Sequence, residues 1–273
     1  MTELKQQLTE TFKALGPRIK RAPEVGIILG TGLGGLATEI ESDEVIPYEQ
    51  IPNFVHSTVE THAGKLHFGK LAGKSVMAMQ GRFHYYEGYT MKQITYPVRV
   101  MKALGVKVLV VSNACGCVNP QYRAGDLMII EDHINLLGDN PLIGPNDNDF
   151  GPRFPDMSEP YSHRLIEIAE IVAMELKIKL HLGTFIAVAG PNLETRAEYR
   201  MMRLLGADVV GMSSVPECIV AKHGGMECFG MSIVTDEGFA DCLKPADIPH
   251  ILKTAADAEP KMTAIMKGLI ERM

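Results

Sequence analysis

Residues 106–112 read Val-Lys-Val-Leu-Val-Val-Ser, a run so rich in β-branched and aliphatic side chains that it fits a strand covered on both faces. A sheet covered on both faces needs crossover helices. The chain supplies helical spacing at residues 90–104, 161–178 and 215–223, interleaved with further short apolar runs at 25–29, 75–80, 127–130, 184–189, 208–212 and 228–234. This alternation predicts an α/β protein. With 273 residues and no internal repeat, low-complexity tract or linker, a single domain over 1–273 is expected.

A net charge of -6 and the lack of a basic stripe argue against nucleic acid as a partner. No apolar run approaches the roughly eighteen residues of a membrane span. Residues 2–15 set Leu4, Leu8, Phe12 and Leu15 at helical intervals around Glu3 and Glu10, which reads as a surface helix stopped by Gly16-Pro17 and not as a signal peptide. The five cysteines include no Cys-x-x-Cys pair, and nothing at a zinc-type spacing completes Cys115-Gly-Cys117. Reduced thiols, no metal and a cytoplasmic location are the expectation.

Residues 81–89, Gly-Arg-Phe-His-Tyr-Tyr-Glu-Gly-Tyr, follow the apolar run 75–80. Extended, they put Arg82, His84 and Tyr86 on one face: a permanent cation, a titratable donor and a phenol, suited to an anion beside a hydroxylated group. A solvated strand end capped by an aromatic ring fits the same residues. Residues 30–35, Gly-Thr-Gly-Leu-Gly-Gly, formally contain G-x-G-x-x-G after a strand. However, 36–42 is too short for the crossover helix, and Pro47 and Pro52 interrupt the next strand. Thr31 and its neighbours therefore read as an anion loop, with a plain tight turn as the other reading. His62 lies at the entry of a hairpin formed by 65–71 and 75–80. A helix capped by Thr90 and kinked at Pro97 precedes the buried strand, which ends in the small residues 113–117. Residues 138–160, rich in Pro, Gly, Asn and Asp, read as a long functional loop with Phe154 near its end. Glu194, Ser213 and Asp236 follow three apolar runs and are expected to leave three strand ends in the same sense, where a polar small-molecule pocket forms. Residues 245–273 read as a closing helix or helix pair broken at Pro260, with His250 near its start.

Taken together, Gly30-Thr31-Gly32-Leu33-Gly34, His62-Ala63-Gly64, residues 81–89, Asn113-Ala114-Cys115-Gly116, Gly190-Pro191-Asn192-Leu193-Glu194-Thr195 and Gly211-Met212-Ser213-Ser214-Val215-Pro216-Glu217 closely resemble, in order, the trimeric low-molecular-mass purine nucleoside phosphorylases. Each motif alone is weak; six in family order are specific. The resemblance implies a single α/β domain with a central mixed β-sheet flanked by helices on both faces. It also implies phosphorolysis of inosine- and guanosine-type (2′-deoxy)ribonucleosides to free base and (deoxy)ribose 1-phosphate. Inorganic phosphate is then a co-substrate, no cofactor is needed, and the assembly is a homotrimer.

Carried over by position, the resemblance assigns phosphate to Thr31 (usually Ser in the family), His62, Arg82, His84, the backbone at Ala114, and Ser213. Ribose falls to Tyr86, Met212 and His250, with Phe154 reaching in from an adjacent subunit. The base falls to Glu194, Leu193 and Asp236, and Glu194, Asp236 and His84 are the expected catalytic groups. Glu87 drops to a structural part. Two further positions depart from the family: Leu193 replaces a common aromatic, and Asp236 replaces the usual Asn. An ionised Asp has acceptors only and repels O6 of a 6-oxopurine, so either Asp236 is protonated or 6-aminopurine nucleosides such as adenosine or methylthioadenosine are preferred.

Overall fold

In a computed structural model that describes residues 2–30, 34–58 and 63–273, one mixed sheet organises the chain. Its strands are β1 (Val25–Leu29), β2 (Glu41–Pro47), β3 (Lys65–Leu71), β4 (Lys74–Gln80), β5 (Val108–Cys117), β6 (Leu127–Leu136), β7 (Leu180–Val188), β8 (Val209–Gly211) and β9 (Glu227–Glu237). The helices are α1 (Glu3–Leu15), α2 (Gly35–Thr38), α3 (Met91–Ala103), α4 (His163–Glu175), α5 (Arg196–Leu204), α6 (Val215–His223) and α7 (Ile248–Arg272). The strand order is β2-β3-β4-β1-β5-β8-β7-β6-β9, and β9 also pairs with β5. Strands β5, β8, β7, β6 and β9 therefore close a ring, with β2, β3, β4 and β1 extending from it as an open sheet.

The strand expected to be covered on both faces is β5, the hub: β1 and β9 pair with it in parallel, and β8 runs antiparallel to its last two residues. It continues through 113–117 because β9 supplies backbone partners from Asn113↔Ser232 to Cys117↔Glu237, beyond the end of the apolar run. The prolines thought to preclude a strand near residue 47 do not: β2 is an edge strand with Pro47 as its last residue, where a missing N–H costs little. Pro260 likewise sits inside the unbroken α7, whose Ala255, Ala258, Met262, Ile265, Met266, Leu269 and Ile270 are buried and outweigh the lost hydrogen bond.

Strand direction corrects a second expectation. Strands β6, β7 and β8 run opposite to β5 and β9, so Glu194 and Ser213 do not leave their strands in the same sense as Asp236. Instead β8 runs back along the end of β5 and brings the segment after it beside the middle of that strand. Residues 138–160 form the expected long connection, held by Arg153 Nη1–H bonds to the carbonyls of Leu142 (3.1 Å) and Gly144 (2.8 Å).

Candidate active site

At the end of β4, Gly81 takes φ 107, a conformation that favours glycine, and turns Arg82 inward. Arg82 is only 1% exposed, which excludes the solvated strand end. A buried guanidinium needs compensation, and three groups provide it. Nε–H donates to Glu217 Oε1 (3.1 Å), and Nη1–H donates to the Ser112 carbonyl of β5 (2.6 Å) and to Ser213 Oγ (3.2 Å). Glu217 is itself buried on the first turn of α6.

The extended alternation through residue 86 does not hold, because Tyr85–Glu87 form a 3-10 turn. Tyr86 still joins the set: its ring stacks on His84 with centroids 4.7 Å apart and planes at 18°. Glu87 Oε1 accepts from the His84 backbone N–H (2.7 Å) and from Nδ1–H (3.2 Å), while Oε2 accepts from Thr58 N–H (2.7 Å). Those donors hold the Glu87 carboxyl down at about 2 against the opposing effect of burial, so it is ionised and fixes the proton on His84 Nδ1. Burial pushes the His84 pKa down, an effect only partly offset by Glu87. The depressed value favours the neutral imidazole near neutral pH.

The residues after β8 depend on a strained turn. Ser214 adopts φ 68, ψ -42, and Val215 N–H donates to the Ser213 carbonyl at 2.8 Å, closing a γ-turn. Such a conformation costs a non-glycine residue about 1–3 kcal/mol. Asn113 Nδ2–H, from β5, donates to Ser214 Oγ (3.0 Å) and helps to hold it, so that Ser213 faces Arg82. Along β5, Ala114 and Gly116 are half-buried and alternate with the buried Cys115 and Cys117, which gives the site one face of that strand.

At the far end of that face, a Cβ on Gly116 would lie 3.0 Å from Asp236 Oδ2. The other oxygen, Oδ1, is 2.8 Å from the Thr235 hydroxyl, which also lies 3.1 Å from the Cys115 carbonyl. Burial pushes the Asp236 carboxyl up. Glu194, leading into α5, is pushed up mainly by burial and also by the charge of Asp236, while a hydrogen bond from Tyr199 pulls it down. Neither carboxylate has a cationic partner among the described residues.

Of the remaining expected residues, Met212 packs against the backbone of Gly190, where a Cβ would meet its sulfur at 2.3 Å. Leu193 is exposed beside Glu194. His250 is exposed on the first turn of α7, its N–H capped by Asp247 Oδ1 (3.1 Å). Phe154 is 87% exposed and lines a separate 480 Å³ cavity with His133, Asn135 and Arg153. Thr31 and His62 lie outside the described residues. Sequence reasoning assigned no role to Glu217, Tyr199 or Thr235. Glu217 closes the segment Gly211–Glu217, but a partner 135 positions away leaves no local signal.

Residues 24–271 match the Phosphorylase superfamily. The chain is 50% identical to purine nucleoside phosphorylase 1 of Geobacillus stearothermophilus over 266 residues, 97% of each protein. Two solved structures of the Schistosoma mansoni purine nucleoside phosphorylase, one in complex with inosine and one with adenosine, each superpose with a TM-score of 0.92 at 40% identity. Both cover 98% of this chain, with 97% of the adenosine complex and 96% of the inosine complex covered in return.

Proposed function

Because the chain belongs to the phosphorylase superfamily, and within it to the purine nucleoside phosphorylases, we propose that its site cleaves purine nucleosides with inorganic phosphate. The observation that carries this reading is the use of β5 as a ruler. Arg82 is bonded at Ser112 and Asp236 is set against Gly116, four residues further along, or about 13 Å at the rise of a strand. A phosphate lying against the sugar of a purine nucleoside fills that span, with its anionic end at the guanidinium and its base at the two carboxyls.

In the reaction a phosphate oxygen attacks C1′ as the bond from C1′ to N9 breaks, and the electron pair leaves with the purine, which takes up a proton. Arg82, Ser213, the Ala114 backbone and His84, together with Thr31 and His62, hold the phosphate, so their contribution is position and charge. Neutral His84 accepts at Nε2 from a protonated phosphate oxygen, or takes up a proton as the dianion enters. Tyr86, a phenol pushed up to about 12 by burial, takes the ribose with Met212 and His250. Glu194 and Asp236 meet the base beside Leu193 and stabilise the leaving anion. No cofactor enters this scheme beyond phosphate as co-substrate.

Phe154, 87% exposed on its own chain, suits a residue that completes the site of an adjacent subunit in a homotrimer. The four buried free cysteines suit a reducing, cytoplasmic setting. For the base, inosine and guanosine are the first reading and 6-aminopurine nucleosides the alternative, favoured by the carboxylate at Asp236. Release of hypoxanthine from inosine, followed with and without phosphate, tests the reaction. Release should depend on phosphate and fall by at least about a hundredfold in Arg82→Ala, in line with the loss of a charged transition-state contact. Release that ignores phosphate would refute the reading.

A further inference from the structure

The base end of the site holds two carboxyl groups with no compensating cation among the described residues, and the surroundings of Asp236 accommodate it both charged and neutral. With Asp236 ionised, the Thr235 hydroxyl donates to Oδ1 at 2.8 Å. With Asp236 neutral, the same hydroxyl turns to the Cys115 carbonyl at 3.1 Å, and the acid proton on Oδ2 faces the Gly116 side of the site. One rotation of a hydroxyl separates the two states, and neither leaves that hydroxyl without an acceptor.

The groups facing Asp236 do not replace this choice. From β5, Cys115 and Cys117 are thiols that burial pushes up, so they stay neutral. From α5, Tyr199 is a phenol raised by burial and by both carboxyls. From the loop before α5 comes Glu194, whose carboxyl is pushed up by burial and by the charge of Asp236 and pulled down by a hydrogen bond from Tyr199, so the two carboxyls oppose each other's ionisation. Glu237, the next residue on β9, is exposed, and both it and Arg123 act on Cys117.

Resting on the phosphorolysis proposed above, we infer that Asp236 makes base choice depend on pH: neutral, it serves 6-oxo- and 6-aminopurine nucleosides alike, and ionised, it serves only the 6-amino class. A neutral carboxyl offers one donor and one acceptor. Against a 6-oxopurine whose N7 takes up a proton on leaving, it donates to O6 and accepts from N7–H. Against a 6-aminopurine it donates to N7 and accepts from the amino group. An ionised carboxylate accepts at both positions, which suits the amino group and a protonated N7 but sets a charge against O6.

The test is kcat/KM for adenosine and inosine at saturating phosphate between pH 5 and 8, in the unaltered protein and in Asp236→Asn. Ionisation of phosphate cancels in the ratio. The adenosine-to-inosine ratio should rise with pH in the unaltered protein, by up to about tenfold per unit through the titration of one proton, and should be flat and shifted towards inosine in Asp236→Asn. A flat ratio in the unaltered protein, or an equal slope in both, overturns the inference. No phosphate-dependent release from either nucleoside at any pH overturns the proposed reaction instead. Should Asp236→Asn fail to fold, calorimetric binding of the free bases to the unaltered protein at pH 8, in two buffers of different ionisation heat, decides. Greater proton uptake with hypoxanthine than with adenine supports the inference, and equal uptake overturns it.

Discussion

Arg82 and Glu217 form a buried ion pair, and under the proposed function its cation serves phosphate, which gives Glu217 a double role. It cancels the cost of burying Arg82, and it fixes the fork so that Nη1 serves Ser213. Truncating one member of such a pair leaves the other charge buried and costs about 3–5 kcal/mol. Glu217→Ala should therefore lower unfolding stability by about that amount in urea titration. The milder Glu217→Gln should raise KM for phosphate several-fold while KM for the nucleoside stays near its original value; an equal rise in both would assign Glu217 to general packing. At this scale the grouping of Arg82, His84 and Tyr86 was legible in the sequence, since the three side chains do come together. Their partners were not. Glu87 lies three residues from His84 and was legible as structural, whereas Tyr199 reaches Glu194 only after the chain has turned into α5.

Among the elements, the connection of residues 138–160 rests Leu142, Phe150 and Met157 on the core and is also clasped from α6. His223, at the end of α6, accepts at Nδ1 from Arg99 Nη1–H (2.7 Å), and its Nε2–H donates to Asn146 Oδ1 (3.1 Å). Only a neutral imidazole makes both bonds, and burial together with the charge of Arg99 pushes its pKa from 6.5 down to about 4. A group whose folded pKa is depressed holds its stabilising contribution above the unfolded value and loses it as pH falls through the folded one. The melting temperature should thus decline between about pH 6.5 and pH 4, and His223→Gln should weaken that decline; an unchanged slope would remove the clasp from the explanation. Element existence was readable because β-branched runs and helical spacing are local properties. Element ends were not: β5 and β9 extend each other through pairing between residues far apart in sequence, and the reversed direction of β6, β7 and β8 is a property of the closed ring.

For the whole molecule, the proposed trimer makes the exposed Phe154 a link between activity and assembly that can be tested. Light scattering should give about 90 kDa, three times the 29.9 kDa of the chain, as cyclic closure of three subunits requires. Phe154→Ala and Arg82→Ala should each impair activity, and co-expressing the two should restore part of it, since mixed trimers contain some sites with Arg82 from one chain and Phe154 from its neighbour. No recovery would place Phe154 in its own chain's site. The same hub strand that measures out the site also sets when the site can come apart. Residues Val108–Val111 of β5 are paired on one side by β1 and on the other by β9, so their amides exchange with solvent only when the whole molecule opens. The Ala114 backbone proposed to meet phosphate lies three residues beyond that slow-exchanging segment on the same strand. Catalytic turnover, on this account, draws its motion from the loops around the strand and leaves the strand itself as the last element to melt.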